Sequence, residues 1–329
     1  MPEVLRTRAR FPDVDAKAGH YESFYLKASD PAAPRGVWIR YTVHKRPGEQ
    51  PKGSLWVTLF GAEGPRAVKV TTSELTAPPE RYIQVGESVF APGEVRGSAA
   101  ADSRAASWNL AFESADEVLF HLPRKRMYSA PLPRTKLLSP YPNALFSGSV
   151  SIDGEQVELR DWPGMVGHNW GAEHAERWIW MHGTSFDNPG DAWLDMAIGR
   201  IKVGPLTIPW IANGVVCIDG IRHRLGGIER VRSTRVEATP TGCEFTLPGK
   251  DVSVRGRVSA PRERFVGWIY ADPDGGEHNT VNSSIADIEL RVERPGKPHV
   301  HLEGAARAAY ELGMKETDHG IPIQPYPDG

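Results

Sequence analysis

Glycine and proline interrupt this sequence at short intervals, which limits the length of any regular element. The 329 residues include 33 glycines and 28 prolines, scattered along the chain rather than clustered. Between them lie short runs rich in valine, isoleucine, threonine and aromatic residues, as in residues 20–29 and 36–45. Such runs are typical of β-strands separated by turns. The pattern therefore predicts an all-β chain, with roughly seven to ten short strands in each half.

Two windows of the sequence are also compatible with a helix. One covers residues 114–121, and the other is the alanine-rich segment 305–314. The second window has the features of a strand start as well, and its composition does not separate the two interpretations. We therefore expect little helix in the fold.

Two short segments carry the same turn signal. Residues 150–154 and 216–220 each consist of a strand-like run followed by Asp-Gly, a dipeptide preferred in tight hairpin turns. The separation of the two segments is well under half of the chain, so the repetition does not establish a duplication. We predict two similar β-hairpins at these positions.

A glycine-rich polar stretch that ends at Gly171 separates two strand series of similar length. A chain of this size is long enough for one large domain or for two ordinary ones. We therefore predict an N-terminal domain over residues 1–172 and a C-terminal domain over residues 173–329.

Charge and cysteine content argue against several classes of protein. The 39 lysines and arginines are balanced by 41 aspartates and glutamates, which disfavours a dedicated nucleic-acid binder. Two cysteines are too few for a disulfide framework. Residues 1–15 lack the apolar core of a signal peptide, and no apolar run approaches the ~18 residues of a transmembrane helix. We expect a cytoplasmic protein without a transmembrane segment.

Six of the ten tryptophans lie between residues 162 and 210, a concentration that requires either a core or a binding surface. One interpretation is a core shared by the two domains. The other is an aromatic pocket at the domain junction, where small-molecule sites are often found. The substrate-binding side chains predicted for this pocket are Trp170, Trp178, Trp180, His182 and Trp193.

Three polar residues near these tryptophans are candidates for chemistry. His168 and Asn169 lie among glycines, which indicates unusual backbone geometry, although the pair also fits a turn in which both side chains cap backbone groups. Asp195 shares a strand face with Trp193. A carboxylate in such an apolar run is either a hydrogen-bonded structural group or an acid with a raised pKa.

Metal and nucleotide cofactors have no support in the sequence. Histidines and glutamates gather between residues 168 and 182, but their spacing matches no zinc motif. The sequence contains no glycine-rich dinucleotide motif, phosphate-binding loop or serine-hydrolase motif. We therefore expect no metal and no other cofactor.

Two segments resemble known protein families. Residues 19–28, with Glu22 followed by Phe24 and Tyr25, resemble the first-strand motif of tocopherol cyclase-like and hydroxyneurosporene synthase-like proteins. Residues 167–171, Gly-His-Asn-Trp-Gly, resemble the His-Asn-Trp-Gly signature of carotenoid 1,2-hydratases of the hydroxyneurosporene synthase type. Related lipocalin-like proteins include Diels–Alderases. The order and separation of the two motifs agree with this superfamily across most of the chain.

The resemblance implies two tandem lipocalin-like β-barrels, or a barrel plus a β-sandwich. It also implies a ligand pocket formed partly at the junction of the two units. Catalytic roles for Glu22, His168 and Asn169 follow from the matched motifs, and Phe24 joins the ligand-binding side chains. The implied ligand is apolar, of the polyene or polycyclic kind.

One departure from the hydratase signature affects the expected chemistry. The signature has an aspartate directly before its histidine, a candidate proton donor, where this chain has Gly167. A replacement proton donor is therefore expected elsewhere. Glu22 lies in the other matched motif, and Asp195 lies in an apolar strand that would raise its pKa. These two carboxyl groups are the predicted candidates.

The leading interpretation is a hydratase or cyclase, pericyclases included, that acts without a metal or nucleotide cofactor on an apolar isoprenoid or polyketide-like alkene. Protonation of an alkene needs an acid shielded from water, and aromatic faces stabilise the resulting cation. The alternative is a lipocalin-like carrier that binds a hydrophobic small molecule without changing it. In both cases the expected partner is an apolar small molecule.

Overall fold

The structure is a computed structural model that describes residues 7–187, 191–203 and 206–326. Its regular structure in these ranges is almost entirely β-strand. Short 3₁₀-helices lie at Phe11–Asp13, Lys125–Tyr128, Ile228–Arg230 and Arg262–Arg264. No helix in the described ranges has the length and apolar character needed to cross a membrane. The all-β prediction is confirmed.

The first sheet is antiparallel and uses residues 20–171. Its strands are β1 (His20–Ser29), β2 (Gly36–Lys45), β3 (Lys52–Phe60), β4 (Arg66–Thr72), β5 (Leu75–Thr76), β6 (Ile83–Val85), β7 (Ser88–Ala91), β8 (Glu94–Ala101), β9 (Arg104–Glu113), β10 (Leu119–Phe120), β11 (Thr135–Ile152) and β12 (Glu155–Gly171). They are ordered β4-β3-β2-β1-β12-β11-β9-β8-β7-β6-β5, and β10 pairs with β11. Because β4 lies against β8 and β9, the sheet curls into a nearly closed barrel.

The second sheet is also antiparallel and follows in the chain. The remaining strands are β13 (Arg177–Thr184), β14 (Ala192–Arg200), β15 (Lys202–Val203), β16 (Leu206–Thr207), β17 (Ile211–Ile218), β18 (Ile221–Gly226), β19 (Arg235–Thr239), β20 (Gly242–Pro248), β21 (Ser253–Ser259), β22 (Val266–Ala271), β23 (Glu277–Glu293) and β24 (Val300–Met314). Their order is β18-β17-β14-β13-β24-β23-β21-β20-β19, with β22 on β23 and a separate β15-β16 ribbon. β18 lies against β20, so this sheet curls back on itself as well.

Each barrel encloses its own hydrophobic core. On β2, Val37, Ile39 and Tyr41 belong to the first core, as the alternation of the sequence predicts. On β13, Ile179 and Met181 belong to the second core. The predicted architecture of two tandem lipocalin-like β-barrels is confirmed.

The two barrels meet along an aromatic contact. Trp38 of β2 and Trp56 of β3 pack against Trp268 of β22, with ring centroids 6.2 and 5.0 Å apart. The guanidinium of Arg40, also on β2, lies 4.0 Å from the ring centre of Tyr270 on β22. The contact between the barrels thus includes three tryptophans that lie outside the sequence group 162–210.

Both windows that are compatible with a helix have other structures. Residues 305–314 lie within β24, where Ala308, Tyr310 and Leu312 belong to the second core. Within residues 114–121 the only regular element is the short strand β10. The helix preference of alanine is worth less than about 1 kcal/mol per residue. Pairing of β24 with both β13 and β23 outweighs that preference.

Both predicted hairpins are present. Asp153 and Gly154 join β11 to β12, while Asp219 and Gly220 join β17 to β18. The φ angles of these four residues lie between 52° and 83°, as a type I′ turn requires. Glycine adopts such an angle without strain because it has no Cβ. The first hairpin turns the chain so that β12 lies between β11 and β1.

Candidate functional site

The two motifs found in the sequence form neighbouring strands. β1 and β12 pair antiparallel, and Phe24 lies directly opposite His168. Because side chains alternate along a strand, Glu22 shares the face of Phe24, and Trp170 shares the face of His168. Phe24 belongs to the core of the first barrel. The four side chains therefore lie together on the inner face of that barrel.

The carboxylate of Glu22 is enclosed and held by several hydrogen bonds. Glu22 is 1% exposed. Nε2 of His168 lies 2.7 Å from Oε1, and Nε2 of His20 lies 3.3 Å from Oε2. The backbone N–H groups of Arg10 and Phe11 each donate to this carboxylate at 2.8 Å. Hydrogen bonds from so many donors stabilise the ionised form of the carboxyl group.

Two opposing effects set the pKa of Glu22. Burial by itself would raise the pKa of the carboxyl group. The hydrogen bonds and charges of His168 and His20 outweigh burial and lower this pKa to about 2. Glu22 is therefore an anion at neutral pH, and in this state it has no proton to donate.

The imidazole of His168 is buried against two aromatic rings. Those of Phe24 and Trp170 stack on it, with centroids 3.9 and 4.6 Å away. Because ionised Glu22 only accepts hydrogen bonds, Nε2 of His168 carries the hydrogen and donates it. Burial lowers the pKa of His168, and Glu22 opposes this effect. Nδ1 has no hydrogen-bond partner among the described residues, so its lone pair is unused.

A short segment N-terminal to β1 covers this end of the first barrel. Phe11 belongs to the core of the barrel. The guanidinium of Arg10 lies 5.0 Å from the ring centre of Trp170. Together with the backbone hydrogen bonds to Glu22, these contacts fix residues 9–11 beside the carboxylate. We call residues 9–11 the N-terminal cover.

The other residues of the second motif lie on the opposite face of β12. The side chain of Asn169 accepts a hydrogen bond from Ser23 of β1. Gly167 is paired with Tyr25, and a Cβ at Gly167 would lie 2.2 Å from Cζ of Tyr25. The ring of Tyr25 therefore fills the space that a side chain at position 167 would need. The motif is divided between two faces, and Asn169 does not join His168.

Asp195 lies in a separate buried cluster between the two sheets. Its carboxylate accepts hydrogen bonds from Oγ of Ser139 at 2.5 Å and Nε1 of Trp180 at 3.3 Å, and it lies 3.3 Å from Nε2 of His121. Burial would raise the pKa of Asp195, but His121, with His182 and Ser139, lowers it. The expected raised pKa is therefore wrong. The sequence shows the apolar neighbours of this aspartate but not the histidine that the fold brings to it.

The predicted substrate-binding side chains fall into two groups. Phe24 and Trp170 lie in the first barrel beside His168, while the side chains between the sheets are Trp178, Trp180, His182 and Trp193. In this second group, Trp193 packs on Leu119 of the first sheet, and Nε2 of His182 lies 2.8 Å from the carbonyl oxygen of Pro142. Closeness in the sequence thus does not bring these tryptophans to one place.

A cleft of about 370 Å³ opens on the second barrel, away from both groups. Its lining residues are Arg200, Thr207, Pro209, Trp210, Val231, Arg232, Thr234 and Arg235. The guanidinium of Arg200 lies 5.4 Å from the ring centre of Trp210. Three arginines give the cleft a basic character, so it does not correspond to the apolar pocket that the sequence predicts.

Sequence reasoning missed several members of these clusters, namely Arg10, His20, His121 and Ser139. His20 precedes Glu22 by two residues on the same strand, so the spacing of strand side chains could have revealed it. Ser139 lies 56 residues from Asp195 in the sequence. Only the pairing of the sheets brings such partners together, and no local pattern records it.

The pair formed by Glu22 and His168 has the geometry of a proton-transfer unit. The carboxylate fixes the imidazole tautomer and stabilises a positive charge on the ring. Nδ1 of His168 is then the atom that can take up or release a proton. The stacked rings of Phe24 and Trp170 exclude water from the imidazole faces. General acid–base chemistry on an apolar molecule is what this arrangement can perform.

Comparison with known proteins extends over nearly the whole chain. No protein-family profile matches it. Two uncharacterised proteins of Mycobacterium tuberculosis, from strains CDC 1551 / Oshkosh and H37Rv, are each 26% identical to it over 312 residues. These alignments cover 94% of this chain and 91% of each relative. The similarity therefore includes both barrels.

Three solved structures are similar to this one. A Nitrosomonas europaea protein provisionally named AttH has a TM-score of 0.56 at 11% identity, covering 94% of this chain and 97% of that chain. Kievitone hydratase from Nectria haematococca has a TM-score of 0.52 at 9% identity, and the match covers 91% of this chain and 90% of that chain. CghA, solved with Sch210972, has a TM-score of 0.51 at 10% identity, and the match covers 91% of this chain and 89% of that chain. These comparisons establish the two-barrel fold that the sequence resemblance implied.

Proposed function

We propose that this protein is an enzyme of the hydratase or cyclase type, in which His168 transfers protons to and from an apolar unsaturated substrate. The observation that carries the proposal is the buried contact of 2.7 Å between His168 and Glu22, with Nδ1 of the histidine unpartnered in the described structure. A buried polar atom without a partner costs free energy. In His168 this atom belongs to an imidazole that Glu22 holds by a hydrogen bond, and the proposal assigns the proton transfer to it. One solved structure with this fold is a hydratase, which supports the same reaction class.

In the proposed reaction, neutral His168 acts first as a base. Nδ1 takes a proton from water while the water oxygen bonds to one carbon of the alkene, and the imidazolium then returns that proton to the neighbouring carbon. Glu22 stabilises the imidazolium between the two events. The sum is the addition of one water to one double bond. In a cyclase, the same atom removes and returns a substrate proton without adding water.

The charge states of the two carboxyl groups favour a polarised alkene as the substrate. Protonation of an unactivated polyene needs an acid that keeps its proton at neutral pH. The pKa values of Glu22 and Asp195 are both lowered, so neither meets this need. An alkene conjugated to a carbonyl group accepts water with base assistance. The proposal therefore favours a polyketide-like substrate over an isoprenoid hydrocarbon.

Substrate access in this proposal requires the N-terminal cover to move. Phe11 occupies the barrel end beside Glu22, and its displacement would open a space next to Phe24 and Trp170. Closure of such a segment over a bound molecule excludes water from the reaction. Opening the cover breaks the backbone hydrogen bonds to Glu22, the core packing of Phe11 and the cation–π contact of Arg10.

The proposal is tested by incubating the full chain with two kinds of probe in isotopically labelled water. One kind is a set of long-chain conjugated enones, and the other is an unactivated polyene. A hydratase yields a product that carries one labelled oxygen, and a cyclase yields an isomer of unchanged mass. A carrier binds the probe and returns it unchanged, which would replace the proposed function with the alternative.

Two histidine variants locate the site. His168→Gln is expected to lower kcat by about 10²–10⁴-fold, the usual cost of losing a general acid–base group. His182→Gln is the matched control, because His182 is also buried with an unpartnered Nδ1 in the described chain but lies between the sheets. Full activity of His168→Gln, or a comparable loss in the control, would place the chemistry elsewhere. Circular dichroism confirms that both variants are folded.

A further inference from the structure

A second polar cluster lies where the linker between the two sheets meets the hairpin of β22 and β23. It consists of His174 in the linker, Asp272 directly after β22 and His278 on β23. Nδ1 of His174 lies 2.7 Å from Oδ1 of Asp272, and Nδ1 of His278 lies 3.6 Å from Oδ2. One nitrogen or oxygen atom from each residue lies within 4.8 Å of the others. The three side chains thus converge on one point.

Hydrogen bonding within the protein accounts for only part of this cluster. Oδ1 of Asp272 accepts from both the backbone N–H and Nδ1 of His174. Nε2 of His174 has no partner among residues that the structure describes, and neither nitrogen of His278 has one. His278 is 2% exposed, so water does not replace these partners freely. A buried imidazole in which neither nitrogen forms a hydrogen bond points to a missing ligand.

We propose that His174, Asp272 and His278 bind a divalent first-row transition-metal ion of the Zn²⁺ type. Two imidazoles and one carboxylate are ligands that suit zinc, iron and cobalt, whereas magnesium and calcium prefer oxygen alone. Ligand atoms on one metal lie at about 2.0–2.2 Å from it. Atoms within 4.8 Å of one another therefore reach a common ion with small side-chain movements.

The surroundings of the cluster fit a metal centre. The backbone N–H of His174 donates to the carboxylate of Asp272 and so orients it, as groups around metal ligands commonly do. The ring of Tyr21 stacks on His174 at 3.9 Å, and Trp178 lies edge-on to His278 at 5.1 Å. These rings limit access of water to the ligands. Three protein ligands leave at least one coordination position for water or another small ligand.

The position of the site gives the ion a structural consequence. His174 belongs to the segment that follows β12, and the other two ligands belong to the β22–β23 hairpin of the second barrel. Tyr21 of β1 packs on the same histidine. A bound ion therefore ties the linker to the second barrel beside the first. His174 and Asp272 are 98 residues apart, which is why no ligand spacing is visible in the sequence.

The proposal is tested by titrating chelator-treated full-length protein with Zn²⁺ in a calorimeter and with Co²⁺ by visible absorption. We expect one ion per chain, with a dissociation constant on the order of micromolar or lower, and a rise in melting temperature that EDTA reverses. His278→Gln and Asp272→Asn keep approximate side-chain size and should weaken binding by about 10²-fold or more. The absence of saturable binding in the unaltered protein overturns the proposal.

The control variant is His299→Ala. His299 is an exposed histidine two positions from His301, and such surface pairs bind metal ions adventitiously. We expect this variant to bind Zn²⁺ as the unaltered protein does. Binding that disappears in His299→Ala, or that persists undiminished in folded Asp272→Asn and His278→Gln, assigns the ion to the surface and refutes the site. Melting curves without metal establish that each variant is folded.

Discussion

The ring of Tyr25 lies over the Cα of Gly167, so close that a Cβ on this glycine would be 2.2 Å from Cζ of the tyrosine. The carotenoid hydratase signature that this chain resembles has an aspartate at that position. Here the partly buried side chain of Tyr25 takes the space instead. Glycine at this position and the tyrosine ring beside it are therefore two parts of one packing arrangement.

This arrangement predicts that Gly167→Ala destabilises the protein by about 1–3 kcal/mol, the usual cost of inserting a methyl group into a packed site. In a Tyr25→Ala background the same substitution should cost much less, because the clashing ring is absent. Urea denaturation of the unaltered protein, the two single variants and the double variant measures the coupling between positions 25 and 167. Gly61→Ala is the control, since open space surrounds a Cβ at that position. Equal costs in both backgrounds would contradict the prediction.

The pH dependence of turnover follows from the environment of His168. Burial lowers its pKa below the ordinary value of 6.5, and Glu22 opposes the shift. Since the proposed base must be neutral, kcat/KM should be level through neutral pH and fall only as the pH drops below about 6.5. Glu22→Gln removes the group that raises this pKa, so the acid limb should move to lower pH. If the acid limb moved to higher pH in Glu22→Gln, Glu22 would not be the group that raises the pKa of His168.

The stability of the fold at low pH depends on Glu22. Its pKa is about 2 in the folded protein against an ordinary 4.5, after its hydrogen bonds outweigh burial. A carboxyl group whose pKa is lower in the folded than in the unfolded chain stabilises the fold at pH values above its unfolded pKa. This contribution is lost as the pH falls from 4.5 towards 2. We expect Glu22→Gln to cost about 3 kcal/mol at pH 7, the linkage free energy of a carboxyl pKa lowered from 4.5 to about 2. The loss of unfolding free energy in Glu22→Gln should become smaller at acid pH. Denaturant titrations of both proteins at several pH values measure this change.

Lys27 predicts a pH dependence of stability with the same sign, but on the alkaline side. Its Nζ is buried, donates to Ser29 and to the carbonyl oxygen of Arg307, and contacts no carboxylate in the described chain. Burial lowers the pKa of Lys27 from 10.5 to about 7. The unfolded chain therefore binds more protons between these values, and stability should rise with pH across that window.

The Lys27 prediction is checked by comparing Lys27→Met with the unaltered protein. The free energy of unfolding of Lys27→Met, relative to that of the unaltered protein, should be greatest at pH 7. This difference should disappear as the pH approaches 10. Lys297→Met, at an exposed turn residue, is the control and should show no such trend. A stability difference that stays constant with pH would mean that Lys27 keeps its proton in the fold throughout.

The strands of the first barrel could be predicted from the sequence more closely than the site. β1 and β2 have the same limits in the structure as in the sequence pattern, because alternation and flanking turn residues both act locally. Residues 305–314 could not be assigned in the same way. Their alanine content suits a helix, and only the presence of β13 and β23 on either side makes them a strand.

The candidate site shows the same division between local and distant information. The motifs identified Glu22 and His168 as candidate residues, but not the direction of their proton chemistry. That direction depends on His168 and His20, which outweigh burial and keep the carboxyl group ionised, and on the backbone N–H groups of the N-terminal cover that also donate to it. For Asp195, the decisive partner His121 directly follows β10 of the first sheet, 74 residues away in the sequence. Charge states in buried clusters are set by tertiary partners, and local sequence patterns do not record them.

In each barrel the first strand pairs with the last, β1 with β12 and β13 with β24. On a ribosome that adds about 5–20 residues per second, one edge of β1 stays unpaired for several seconds until residue 171 has been made. The edge of β13 goes through the same interval until β24 emerges. Unpaired strand edges are templates for aggregation. The nascent chain, with one barrel half built, therefore exposes strand edges that the finished fold covers.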